Sequence, residues 1–161
     1  MIKSVEDRTG LSERKEFRNS ITEFHREFVE YDGVMTGEEL EKHNPLKHTF
    51  ADGLYIRELR FPANEFCVTK IHKKKHPFFL LSGKMSILSE HGKVTLNAPH
   101  YDITLPGTQR IIYTHTPCTF VTVHATKETD VEKVEEEVIA KDFNDIEISE
   151  HDLKLLKEGD K

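Results

Sequence analysis

Lys70-Ile71-His72-Lys73-Lys74-Lys75-His76-Pro77-Phe78-Phe79-Leu80-Leu81-Ser82-Gly83 is the stretch whose reading decides the fold. Apolar and aromatic residues run up to a glycine, as in a short strand that stops at a tight turn. Strand alternation puts Lys70 and His72, two positions apart, on one face. Phe78-Phe79-Leu80-Leu81 reads as core, and Lys73–Lys75 read as a solvated hairpin turn.

Around this stretch lie further short runs rich in Val, Ile, Thr, Tyr and Phe. They are Leu54–Phe61, Glu65–His72, Phe78–Ser82, Lys84–Ser89, Lys93–Leu96, Tyr101–Leu105, Gln109–Thr114 and Thr119–Ala125. Pro62-Ala63-Asn64, Gly83, His91-Gly92, Asn97-Ala98-Pro99 and Pro106-Gly107 punctuate them. Short strands with regular turns predict an all-β sandwich or barrel. No internal repeat is visible.

Both ends read as helical. Residues 11–30 repeat Leu11, Phe17, Ile21, Phe24 and Phe28 at roughly helical spacing, with Ser12 as a cap and Asp32-Gly33 as the stop. A short helix follows from Thr36 and breaks at Asn44-Pro45. Beyond Ala125, Thr129-Asp130 caps a helix with Val131, Val134, Val138 and Ile139 on one side. Ser149, three residues before Asp152, opens a last segment carrying Leu153, Leu155 and Leu156. The expected organisation is a helical segment over 1–43, a barrel over 44–127 and an acidic helical segment over 128–161.

The net charge of −6 conceals a division along the chain. Residues 1–43 hold 7 basic and 11 acidic side chains, 44–127 hold 11 and 5, and 128–161 hold 5 and 13. A basic centre between acidic flanks predicts a domain that attracts an anion. The overall acidity argues against general nucleic-acid binding. No apolar run reaches membrane-spanning length, and no signal-peptide pattern opens the chain, so the expectation is a cytoplasmic protein with no membrane partner. Cys67 and Cys118 have no metal-binding spacing and read as buried free thiols.

The centre resembles the cupin superfamily, and more narrowly small cupin-like proteins encoded by tailed phages. The residues that carry this are Leu54-Tyr55-Ile56-Arg57-Glu58, Lys70-Ile71-His72 with His76, Pro106-Gly107-Thr108-Gln109-Arg110, Tyr113-Thr114-His115, and Val121–Thr126 leading into Glu128-Thr129-Asp130. The resemblance covers about residues 45–140. It implies a single small cupin-type jelly-roll β-barrel, mainly β, with flanking α-helices, and a tendency to form homo-oligomers. A phage origin would place it in the host cytoplasm.

A typical cupin has His-x-His, a Glu four residues after the second His, and a Gly seven further on. Counted back from Gly83, those ligand positions are Lys70, His72 and His76. The last ligand of the second motif, a His three residues after its turn glycine, is Arg110 here. Two cations stand where ligands are usual, and neither binds a divalent ion at neutral pH. The resemblance therefore implies a basic pocket without a metal cofactor. In the competing reading His72, His76 and His124 form a three-nitrogen metal site.

In the metal-free reading Lys70, His72 and His76 are candidate catalytic residues. Arg110, Tyr113, His115 and His124 are candidate ligand-binding residues. Arg grips phosphate or carboxylate in two places, and Lys adds a point charge. Two histidines beside a lysine permit metal-free cleavage of a phosphodiester, one accepting and the other donating a proton. Each residue also has an ordinary structural reading. Lys70 then points to water from an edge, Arg110 pairs with an acidic side chain from a flank, and His124 is a satisfied core histidine. Tyr113 and His115 alternate away from Arg110 and share its side only across a bulge.

Three functions compete. The first binds a phosphorylated, nucleotide-like molecule and cleaves or sequesters it, as a phage protein would act on a host signalling nucleotide. The second is a metal-dependent cupin oxygenase or isomerase, and the third a virion or assembly scaffold without catalysis.

Overall fold

The structure is a computed structural model that describes residues 7–145. The expected segment carrying Ser149, Asp152, Leu153, Leu155 and Leu156 lies outside the described residues. Among the described residues no helix is long and apolar enough to cross a membrane.

Two helices open the chain, α1 (Asp7–Phe28) and α2 (Gly37–His43). Ten strands follow: β1 (Leu46–Ala51), β2 (Leu54–Phe61), β3 (Phe66–Val68), β4 (Ile71–His72), β5 (His76–Ser82), β6 (Lys84–Ser89), β7 (Gly92–Asn97), β8 (His100–Thr104), β9 (Ile111–Thr114) and β10 (Cys118–Ala125). Helix α3 (Val131–Val138) and strand β11 (Ile139–Ala140) are the last elements among the described residues. Strands β1-β2-β10-β5-β8 form one antiparallel sheet, β3-β9-β6-β7 a second, and β11-β4 a third of two strands.

The two larger sheets pack face to face on an apolar cluster. Phe61, Phe78, Leu80, Cys118 and Phe120 come from the first sheet, and Met85, Ile87, Leu96 and Ile112 from the second. Alternation along each strand sends these residues inward, as expected for stacked sheets. The mainly β, jelly-roll architecture with flanking helices is therefore present. Both cysteines are free, Cys118 buried and Cys67 half-buried.

Gly83 turns the corner between β5 and β6 at φ +90°, where an added Cβ would stand 2.2 Å from the Pro117 carbonyl oxygen. Only glycine takes that conformation in that space at little cost.

The structure departs from the sequence reading in four places. β1 pairs with β2 from Leu46↔Leu59 to Ala51↔Leu54, although 46–51 carries weak alternation. The expected strand Glu65–His72 is broken at Thr69-Lys70, where Thr69 N–H donates to the Arg110 carbonyl at 2.9 Å. Helix α1 starts upstream of Ser12, which is therefore no cap. Ile139, expected on a helix face, is extended at φ −105°, ψ 127° and pairs with His72. Strand pairing supplied by a distant segment overrides local helical periodicity there.

Side chains from each helix tie it to the barrel. Ile21 of α1 is buried, and Arg18 makes a forked ion pair with Glu90, Nε to Oε2 at 2.6 Å. His43 at the end of α2 hydrogen-bonds Glu65. Asp130 caps α3 by accepting from Lys133 N–H at 3.2 Å. Val134 and Val138 of α3 pack on Tyr55, Phe50 and Ile139 in a second cluster.

Candidate functional site

The barrel interior changes from apolar to polar along three strands. On β10 the inward series is Cys118, Phe120, Thr122, His124. On β2 it is Phe61, Leu59, Arg57, Tyr55, and on β5 it is Leu80, Phe78, His76. Tyr55 lies opposite His124, and Thr122 opposite both Arg57 and Phe78, so the polar ends meet at one end of the barrel. A cavity of about 290 Å³ opens there, lined by Tyr55, Arg57, Lys70, His72, Arg110 and His124 among others.

Three imidazoles converge. His72, His76 and His124 each offer one ring nitrogen, and these atoms lie within 4.8 Å of one another. The rings of His72 and His124 stack at 5.8 Å and 9°, and His76 stands 4.3 Å from His124 and 4.5 Å from His72 between ring centroids. His76 Nδ1 is 3.0 Å from the Lys74 carbonyl, to which it donates, and that fixes Nε2 as the atom with the free lone pair. His76 Nε2 and His72 Nδ1 are buried with no hydrogen-bond partner. The Thr122 hydroxyl is 3.0 Å from His124 Nε2.

The three rings are neutral at physiological pH. Burial holds His72 down to about 2, helped by the charges of His76, His124, Arg110 and Arg57. Burial also takes His76 to about 4 and His124 to about 3. An imidazole so reluctant to protonate is a poor general acid near pH 7, so the cluster gives no support to a metal-free acid–base pair. It suits metal ligation, which needs neutral imidazoles with free lone pairs. A carbonyl on the far ring nitrogen, as Lys74 provides for His76, is the usual support for such a ligand. The residues fit a divalent transition ion.

Arg110 is buried, and its guanidinium donates to Thr104 Oγ1 at 2.8 Å and lies over the Phe78 ring at 5.1 Å. Burial lowers its pKa to about 10, still well above neutrality. Asp102 lies near enough to favour the charged form of Arg110 without forming an ion pair with it. Among the described residues no carboxylate ion-pairs with Arg110 or Arg57. Thr69 sets the position of Arg110, its Oγ1 accepting from Arg110 N–H at 2.9 Å. Gly107 N–H donates to the His72 carbonyl at 2.8 Å, which ties the Pro106-Gly107 turn to β4.

Lys70 does not share the interior face with His72. The break at Thr69-Lys70 turns its side chain to the rim, where Nζ lies 3.1 Å from both carboxylate oxygens of Glu135. Tyr113 and His115 do not reach the cavity either. No bulge intervenes on β9, so Tyr113 faces outward, 4.7 Å from Phe66 between ring centroids, with its hydroxyl donating to Asn64. The exposed His115 pairs with the Ser86 hydroxyl at 2.7 Å.

The place of Arg57 and the pairing of β11 with β4 went unrecognised in the sequence reading, which did expect helix α3 and its apolar face. Alternation in Leu54–Phe61 puts Arg57 on the same face as Tyr55, Leu59 and Phe61, and a lone arginine on an aromatic and apolar face is a signal that could have found it. The β11 strand had no local signal, since Ile139 continues the helical periodicity of α3. Glu135, Val138 and Ile139 line the cavity, and β11 is hydrogen-bonded to the strand that carries His72.

The fold and site together define a small cupin-type barrel with a histidine- and arginine-lined interior. A DMSP lyase, DddQ, from Ruegeria pomeroyi is similar in structure, with a TM-score of 0.50 at 16% identity over 63% of this chain and 56% of that one. A cupin domain from Bordetella pertussis matches at 0.41 and 17% identity, over 52% of this chain and 93% of that one. A cupin superfamily protein from Desulfitobacterium hafniense matches at 0.45 and 12%, over 57% and 83%. No family model matches the chain, and no curated protein is similar to it in sequence.

Proposed function

We propose that this protein binds an anionic small molecule in its barrel cavity, at a site where His72, His76 and His124 hold a divalent transition metal and Arg57 and Arg110 hold the anion. One observation carries this reading: three neutral imidazoles converge beside a cavity lined by two arginines that make no ion pair with a carboxylate among the described residues. A bound divalent ion would supply a Lewis-acid centre beside the ligand's oxygens. Arginine charge weakens the site's hold on a bare dication, and an anionic ligand offsets that repulsion, so metal and anion bind better together than apart.

Phosphate and carboxylate both fit the arginine forks. A cavity of about 290 Å³ sits at the small end of ligand sites, which favours a molecule no larger than a mononucleotide. Capture of a phosphorylated host signal, as the phage-like resemblance implies, is the finer form of this proposal. The test is native mass spectrometry of the untagged protein with elemental analysis. A stoichiometric transition metal with a co-purifying anion supports the reading. A metal-free protein that still carries a phosphorus-containing ligand moves the function to the arginines alone.

A further inference from the structure

A second cavity, of about 470 Å³, lies between the helices and β3. Its walls are mostly apolar, with Phe28 of α1, Val29, Val34 and Met35 of the following connection, Leu40 of α2 and Phe66 of β3, while His25, His43, Glu65 and Lys70 add polar groups to the lining. Val29, Leu40 and Phe66 are exposed there, Phe66 with one side against the Tyr113 ring. Leu40, Cys67, Val68 and Lys70 line both this groove and the barrel cavity, so the two share a rim. At that rim Glu135 draws the Lys70 ammonium aside, which leaves its aliphatic stem along the path between them.

The polar cavity therefore ends in arginines and imidazoles, and the adjoining groove in methyl, thioether and phenyl groups. We infer that the ligand is an amphiphilic anion, with a carboxylate or phosphate head held by Arg57 and Arg110 and an apolar chain laid over Leu40 into the groove. Charge complementarity selects the head, and burial of the chain against Phe28, Val34 and Met35 selects the tail. This inference rests on the anion reading above and adds the tail.

The test is an amide NMR titration of the full-length protein with acetate, hexanoate, octanoate and 1-octanol. Each methylene buried in the groove tightens binding about fourfold, so octanoate binds far better than acetate, and uncharged octanol at least about tenfold worse than octanoate. In the Val34→Asn, Met35→Gln double variant the dependence on chain length flattens while acetate affinity is unchanged. Arg110→Gln weakens the whole acid series. Equal affinities for acetate and octanoate would overturn the inference and leave the anion reading intact. Octanol binding as tightly as octanoate would overturn it by separating groove from arginines. No binding by any acid, with no effect of Arg110→Gln, would overturn both.

Discussion

Lys70 Nζ lies 3.1 Å from each carboxylate oxygen of Glu135, 65 residues away in the chain. Lys73 reaches Asp145 at 3.4 Å, and Lys74 reaches Glu137 at 3.0 Å. The basic strap between β4 and β5 is thus matched by the acidic segment that covers it. Much of the positive charge that would draw an external anion is answered within the chain. Arg57 and Arg110, which line the barrel cavity, make no ion pair with a carboxylate among the described residues.

Charge reversal at the rim follows from this. Exposed pairs contribute about 0–1 kcal/mol each, so Glu135→Lys lowers stability by no more than about 1 kcal/mol in urea unfolding. Adding Lys70→Glu restores it. Strong loss in the single variant without rescue in the double would show that Glu135 acts through something other than Lys70.

Removing cations separates rim from cavity. Arg110→Gln weakens binding of a carboxylate or phosphate probe by roughly tenfold or more, the loss of a charge-assisted pair, whereas Lys70→Met changes it by less than about threefold. Calorimetric titration with the same anion reads both. The reverse order would put the anion at the rim.

Metal-free protein carries two buried ring nitrogens without partners, each worth about 1–3 kcal/mol of lost stability. His72→Leu removes one of them, so the chelator-treated variant melts at the same temperature as the parent or higher. Zinc raises the melting temperature of the parent, by an amount equivalent to about 2.7 kcal/mol at a hundred times Kd, and does little for the variant. A variant that melts lower without metal and still gains fully from zinc would exclude His72 as a ligand.

Acid destabilises the metal-free protein earlier than carboxylate titration alone would. Burial takes the folded-state pKa of His76 to about 4 and that of His124 to about 3, below the value of 6.5 that each has when unfolded. Above pH 6.5 both states are neutral and nothing is lost. Below it the unfolded chain takes up protons that the folded chain refuses, so stability falls, by about 1.4 kcal/mol per pH unit for each such histidine, until the folded pKa is reached. Urea midpoints measured from pH 7 to pH 4.5 should decline accordingly, and the decline should shrink in His124→Phe. A flat profile over that range would mean that the rings are accessible to protons.

Gly83→Ala should cost about 2 kcal/mol or more, through positive φ and through collision with Pro117 and Cys118. Thermal unfolding reads it directly. A neutral outcome would show that the β5–β6 corner can relax.

Much of the barrel was legible because strand alternation is a local signal. β2 and β6 occupy the expected residues, and β5, β7, β8, β9 and β10 differ only at their ends. The cupin-like spacing, counted back from Gly83, likewise picked out His76 and His72, two members of the cluster. Whether His124 was core or ligand could not be read locally. It became a cluster member only when β10 paired between β2 and β5 and carried it to His76.

What the tertiary structure alone decided was direction and company. Lys70 left the interior because Thr69 turns aside to bond Arg110, a contact 41 residues distant that no alternation pattern encodes. Ile139 became a strand because β4 offered it an edge. The histidines became neutral because burial, together with one another's charge, disfavours the proton, and burial is a property of the assembled barrel. The sequence by itself determined most of the barrel strands (β2 and β5 to β10), the corner at Gly83 and the residue types available to the site. Chain crossings between distant segments determined which of those residues meet, because facing and desolvation exist only after the sheets have packed.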